Sequence, residues 1–205
     1  CYELPDTPRA APLLVDLVRT IDDNGMLVVV HTTPRAAQVV AAALAYVNRT
    51  IDDDARSALE ALVRDRVGPA ARRLGWTPQR GEDELTRQMR GDLLRAVGVL
   101  GDDGEIQAEA RQLYARYRAD ERAVDPNVVP ALIAILARAG DEAEYEEFRE
   151  RFRHARSPQE EQRYLYALAA FRQPALVTQT LQHTVDGEIR SQGAPYVVRA
   201  ILVSV

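Results

Sequence analysis

Three histidines, His31, His154 and His183, and one cysteine, Cys1, are the only imidazoles and the only thiol in this 205-residue sequence. A catalytic zinc of the H-E-x-x-H kind needs two imidazoles four residues apart on one helix face, with a carboxylate beside the first. None of the three His is followed by Glu, and no two stand four apart. A single Cys excludes an internal disulfide framework and a Cys-based zinc site. Gly98, Gly101 and Gly104 recur at spacing three, but a phosphate-cradling P-loop requires Lys and the sequence contains none. Ser occurs only at positions 57, 157, 191 and 204, and none lies in a G-x-S-x-G elbow. Carboxylates are abundant, but no His or ligand cluster accompanies them. The expectation is a chain with no catalytic and no metal-binding residues of its own.

Charge narrows the partners. Asp and Glu number 31 against 26 basic residues, all Arg, for a net charge of −5. The two signs interleave along nearly every segment, whereas a surface that tracks phosphates needs clustered positive charge. Nucleic acid is therefore not an expected partner. No basic amphipathic stretch and no membrane-length apolar run is present, so no membrane partner is expected, and the location expected is cytoplasmic.

Apolar residues recur at helical spacing almost throughout. Leu59, Leu62, Val63, Val67, Ala70 and Leu74 form one stripe; Leu85, Met89, Leu93, Leu94, Val97 and Leu100 form a second; Ile106, Ala110, Leu113, Tyr114 and Tyr117 form a third. Tyr145, Phe148 and Phe152 continue the pattern, followed by Tyr164, Leu165, Leu168 and Phe171. The spacing predicts helices over 12–23, 34–48, 54–74, 82–100, 104–118, 126–139, 142–155, 158–171, 173–184 and 194–205. The short apolar run Met26 to Val30 fits no single assignment.

The punctuation agrees. Thr33-Pro34 and Asp125-Pro126 read as a cap followed by proline at the first helical position. Ser157-Pro158-Gln159-Glu160 reads as a full capping box. Gly101 to Gly104 and Gly140-Asp141 read as tight breaks, and Pro69 and Pro130 predict kinks or breaks inside apolar patterns. Around 142–155, Asp141, Glu142, Glu144, Glu146 and Glu147 crowd the start and Arg149, Arg151, Arg153 and Arg156 the end, complementing the helix dipole, with Glu147 placed four residues before Arg151. The fold expected is all-α: antiparallel helical hairpins stacked as an irregular HEAT/armadillo-like solenoid.

From Ala71-Arg72-Arg73-Leu74-Gly75-Trp76 to Glu188-Ile189-Arg190-Ser191-Gln192, several stretches taken in order resemble the C-terminal helical domain of the aminopeptidase N family of zinc metallopeptidases, in its bacterial form. Ala71-Arg72-Arg73-Leu74-Gly75-Trp76 is similar to that domain's L-G-W junction. Asp83 to Arg90, Leu93-Leu94-Arg95, Gly104, Ala108 to Tyr117 and Asp125-Pro126 follow in the family's order. Gln162 to Phe171 looks like a late repeat, and Glu188-Ile189-Arg190-Ser191-Gln192 resembles the I-R-x-Q segment, with Ala194-Pro195-Tyr196 after it. The likeness runs from about 54 to 201 and departs at Gly193, where the family often has Asp or Asn.

The resemblance implies a helical bowl closing over a separate zinc domain that carries H-E-x-x-H, so zinc is expected in that absent catalytic domain and not in this chain. It implies residues 1–205 as one helical-repeat segment, cut from a larger C-terminal domain, whose partners are the catalytic domain of the same polypeptide and a peptide substrate. The chain alone is then no enzyme, while its parent is a zinc-dependent aminopeptidase. Self-association is expected through the cut ends, where Tyr196, Val197, Ile201, Leu202, Val203 and Val205 crowd the last helix. Within this reading, Arg163 and Tyr166 on a late helix, with Arg190 and Gln192 at the next corner, are expected to grip the distal, carboxylate-bearing end of a peptide, since Arg binds carboxylates bidentately. The alternative is a free-standing HEAT-like scaffold for a protein or peptide, whose gene would begin near this chain's start.

Overall fold

The computed structural model describes residues 43–204, and within them the regular structure is helical throughout, with no strand. These residues fall into two compact units that divide between Ala131 and Leu132. The expected helix 12–23, the first part of 34–48, Thr33-Pro34 and the run Met26 to Val30 lie outside the described residues.

In the first unit, residues 43–50 are helical and lead to α1, Asp53–Arg66. Asp52 caps α1 by accepting from the Ala55 N–H, and Asp53, Asp54, Arg64 and Arg66 sit at the ends their charges favour. The predicted helix 54–74 is in fact two. α1 stops at Arg66 and α2, Gly68–Leu74, restarts with Pro69 in its first turn. Proline lacks the N–H that would bond back to residue 65, and its ring crowds that carbonyl, so the break falls where the sequence requires one. α2 ends on Gly75, whose φ of 59° is the left-handed conformation that glycine adopts without steric cost.

Helix α3, Glu84–Arg95, is capped by Asp83 and runs into a single π-turn over Ala96–Leu100. A π-turn shifts the carbonyls out of register with the ladder. Two side chains meet carbonyls freed at its end: the Arg64 guanidinium donates to Gly101, and Gln107 Nε2 donates to Gly98 at 3.1 Å. The buried Asp103 then caps α4, Gly104–Ala119.

Three sequence expectations change here. Leu85, counted in the core stripe, is 60% exposed, while Arg90 on the same helix is fully buried. Arg90 is tolerated because Nη2 donates to Glu82 at 2.7 Å and Nε to the Leu74 carbonyl at 3.2 Å, which fixes the Leu74-Gly75-Trp76 junction. The helix expected from 126 begins at Val129 instead, as α5, Val129–Ala139. Asp125 spends its side chain on the Asn127 N–H, and residues 126–128 form a turn. Pro130 therefore lies in the first turn, where its missing N–H costs nothing, and causes no kink.

The second unit holds α6, Glu142–Arg153; α7, Pro158–Leu168; α8, Pro174–Val185; and α9, Ala194–Ser204. α6 and α7 form an antiparallel hairpin around an aromatic core. Tyr145 meets Phe171 edge-on at 5.2 Å, and Phe148 meets Tyr164 at 5.4 Å, pairing early with late residues across the turn. The Tyr145 hydroxyl, held above its usual pKa by burial, finds the Thr180 hydroxyl of α8 at 2.8 Å. The full capping box stands at Asp141 and Glu144. At Ser157 only half forms: Ser157 accepts from the Glu160 N–H, but the Glu160 carboxylate accepts from Arg156 N–H. The expected Glu147–Arg151 pair is present at 3.5 Å. Among the described residues, no helix is long and apolar enough to cross a membrane.

Candidate functional site at the Glu188 corner

Polar chemistry concentrates where α8 turns into α9. α8 ends at Val185 with Asp186 as its cap, and Gly187, at φ 90°, reverses the chain as an L residue could not without strain. The Glu188 N–H donates to Asp186 Oδ1 at 3.1 Å, and the Ile189 N–H donates back to the His183 carbonyl at 2.8 Å. Ile189 is buried, at 2% exposure, and pins the corner to the core. Gly193 N–H and Ala194 N–H both return to the Arg190 carbonyl and start α9.

The Glu188 carboxylate is gripped twice. Arg149 donates from Nε to Oε1 at 2.8 Å and from Nη2 to Oε2 at 2.7 Å. Arg153, one turn further along α6, donates from Nε to Oε1 at 2.9 Å and from Nη2 to Oε2 at 3.0 Å. Each is a fork-to-fork pair, the strongest common geometry for a carboxylate. These hydrogen bonds, Arg149's first, outweigh the opposing effect of burial and lower the Glu188 pKa to about 2. Arg149 and Arg153 are raised in return, chiefly by the same bonds to Glu188. Glu146 and Glu150 supply a further contact to Arg149 and Arg153, at 3.2 and 2.9 Å.

His183 stands beside this node. Its buried ring places Nδ1 3.3 Å from Asp186 Oδ2 and 3.2 Å from Glu188 Oε2. One imidazole and two carboxylates at such spacing have the composition of a metal site. Their surroundings do not suit one. Each Glu188 oxygen already accepts two guanidinium N–H groups, which occupies its lone pairs and sets two positive charges against any cation. A metal on Nδ1 would also need an acceptor for Nε2–H, and Nε2 is buried without a hydrogen-bond partner. The arrangement fits an Arg–Glu ion-pair rivet, with His183 Nδ1 in hydrogen-bond reach of Asp186 Oδ2.

The four residues expected to hold a peptide are placed unequally. Arg190 and Gln192 follow the anchored Glu188 and Ile189 along the chain and are exposed. Arg190 approaches Glu161 of α7 at 3.7 Å with its side chain 81% exposed, and a Cβ at Gly193 would lie 3.6 Å from Leu165 Cδ2. Glu161 and Leu165 are thus the α7 residues that meet the corner. At about 100° per residue, Arg163 and Tyr166 project from other sides of α7; Arg163 is half-buried and Tyr166 38% exposed. Of the remaining aromatic and imidazole side chains, Trp76 is half-buried and donates its indole N–H to Glu109 at 2.6 Å. His154 caps α6 with Nδ1 3.0 Å from the Glu150 carbonyl. Sequence reasoning missed the Glu188 node. Arg149 and Arg153 at spacing four were visible, but their partner lies 39 and 35 residues away.

Comparison with known proteins follows the same lines. The sequence model described as the ERAP1-like C-terminal domain matches residues 16–204. Aminopeptidase M1 of Arabidopsis thaliana is 33% identical over 132 residues, covering 62% of this chain and 15% of its own length. Aminopeptidase 2 of Candida albicans is 24% identical over 185 residues, 90% of this chain and 20% of its own. Probable aminopeptidase 2 of Sulfurisphaera tokodaii is 30% identical over 111 residues, 54% and 13% respectively. The chain spans no more than 20% of the length of any of these three relatives.

Proposed function

The chain belongs to the ERAP1-like C-terminal domain family of the aminopeptidases, and from that premise we propose that it is the non-catalytic lid of a zinc aminopeptidase, closing over the active site and holding the distal part of peptide substrates. The family match over residues 16–204 carries this reading. In it, residues 1–205 are one stretch of a larger helical domain of stacked HEAT-like hairpins, the catalytic domain of the same polypeptide is the partner, and zinc belongs to that domain. Within the chain, the Glu188 corner supports a role in recognition. Arg190 and Gln192 are presented to solvent from a backbone fixed on its other side, which is how a scaffold displays binding groups at low entropic cost. Arg163 and Tyr166 project from other sides of α7, so their share in peptide holding is separate from that of the corner.

The test is kinetic and uses a polypeptide that includes the catalytic domain. Arg190→Ala and Arg163→Ala are expected to raise KM several-fold for a long peptide relative to a single-residue chromogenic substrate, which is too short to reach the lid. An equal rise on both substrates, or no rise on either, removes the peptide-holding role. The second reading, a free-standing scaffold, draws on the same helical stacking and predicts an open reading frame without H-E-x-x-H upstream.

A further inference from the structure

The corner that displays Arg190 and Gln192 has no regular secondary structure of its own between Val185 and Ala194. An exposed connection of this kind normally samples many conformations, and a ligand that binds it must restrict them. Three features oppose that freedom. Ile189 is buried and its N–H is bonded to the His183 carbonyl at 2.8 Å. The Arg190 carbonyl accepts from both Gly193 and Ala194, at 2.8 and 3.1 Å. Between the end of α8 and Ile189, Glu188 joins α6 through four guanidinium hydrogen bonds of 2.7 to 3.0 Å.

That grip exceeds what a surface ion pair supplies. The Glu188 side chain is only 17% exposed and Arg149 likewise 17%, so solvent screens the pair weakly. Two bidentate forks fix the carboxylate plane as well as its position, and so fix the backbone that carries it. Arg190 and Gln192 lie two and four residues beyond this fixed point, on the side that faces solvent.

We propose that Glu188 is a positioning residue: by clamping the corner to Arg149 and Arg153 of α6, it pre-orients Arg190 and Gln192 for the terminal carboxylate of a peptide. This rests on the reading of the corner as part of a peptide-holding surface. Glu188 touches no ligand, and it acts by removing conformations of the corner in which Arg190 points elsewhere. The closest competing carboxylate to Arg190, Glu161 at 3.7 Å, makes a single long contact, which a bidentate peptide carboxylate displaces at small cost.

The experiment uses this chain and two readouts. Hydrogen exchange reports the rigidity of the corner through the amides of Ile189, Gly193 and Ala194. Fluorescence anisotropy reports binding of an N-terminally labelled oligoalanine with a free C-terminal carboxylate, with its C-terminal amide as the control. In Glu188→Gln, whose amide N–H₂ faces guanidinium donors, exchange at the corner is expected to rise at least tenfold. Affinity for the free carboxylate should fall several-fold, and the preference over the amide should shrink. Glu188→Asp keeps the charge and is expected to restore part of both, and Arg153→Gln, which leaves the Arg149 fork intact, to fall between. The graded series distinguishes a clamp from simple misfolding, which would raise exchange at Tyr145 and Tyr164 in the core as well. Unchanged exchange at the corner in Glu188→Gln overturns the proposal. So does faster exchange with unchanged affinity, provided Arg190→Ala weakens binding. If Arg190→Ala leaves binding of the carboxylate peptide unaltered, the peptide-holding reading itself fails, and the positioning role falls with it.

Discussion

At the scale of single residues, Glu188 dominates the electrostatics of the second unit. Its pKa falls from an ordinary 4.5 to about 2, because hydrogen bonds from Arg149, and then Arg153, favour the ionised form more than burial disfavours it. A carboxylate lowered in the folded state stabilises the fold in full above its unfolded pKa, and loses that contribution as pH falls through the folded value. The shift is worth about 3 kcal/mol at neutral pH. Urea titrations followed by circular dichroism should therefore show wild type losing stability relative to Glu188→Gln between about pH 5 and pH 2, with the two nearly equal at the acid end. A difference that stays constant across this range would mean the carboxylate titrates normally. None of this was legible from local sequence. Arg149 and Arg153 read as helix-dipole charges, and Glu188 as one letter of a family segment, because a long-range ion pair leaves no spacing rule behind. Arg90 hides for the converse reason: a guanidinium within an apolar pattern reads as surface until Glu82 and the Leu74 carbonyl are seen to receive it.

At the scale of elements, the sequence carried more. Apolar stripes and caps located the helices of the described residues to within a few positions, since a 3.6-residue period is a local property of the chain. What shifted were the ends. One expected helix divides at Pro69, and another begins at Val129. In the third, 82–100, the last turn opens into a π-turn over Ala96–Leu100, whose carbonyls are met by Arg64 and Gln107 from other elements. Close approaches are equally invisible in sequence. Gly91 lies in the middle of α3, where glycine costs helix stability, yet a Cβ there would stand 2.4 Å from the Asn127 carbonyl oxygen. The turn before α5 is thus packed against bare backbone, and Asn127 Nδ2 fastens it by donating to Glu84 at 2.9 Å. Gly91→Ala should destabilise the fold by about 1–3 kcal/mol, although alanine favours helix by about 1 kcal/mol. Gly104→Ala, with open space around the added carbon, is the control. A stabilised Gly91→Ala protein would show that the turn yields and that helix propensity wins.

At the scale of the whole chain, the proposed lid role rests on what the helices display, and it is tested by what the one cluster of ligand-type side chains among the described residues does with a metal ion. The only triad of possible metal ligands among the described residues is His183, Asp186 and Glu188. A cation entering it must break both Arg forks on Glu188, leaving Arg149 with Glu146 alone and Arg153 with Glu150 alone while holding two guanidinium charges beside the ion. Zinc at a three-ligand site would also approach an imidazole whose Nε2 has no acceptor to orient it. The chain on its own is therefore expected to retain no stoichiometric zinc after dialysis and to leave aminoacyl chromogenic substrates intact. Added zinc should not raise its melting temperature, because only a ligand that prefers the folded state does so. Elemental analysis, a chromogenic assay with and without chelator, and thermal scans with zinc make the three measurements. Retained zinc that is lost in His183→Ala, with chelator-sensitive hydrolysis, would establish a metal centre at the corner. The guanidinium pairs would then yield Glu188 to the ion, and that result would count against the proposed clamp as well.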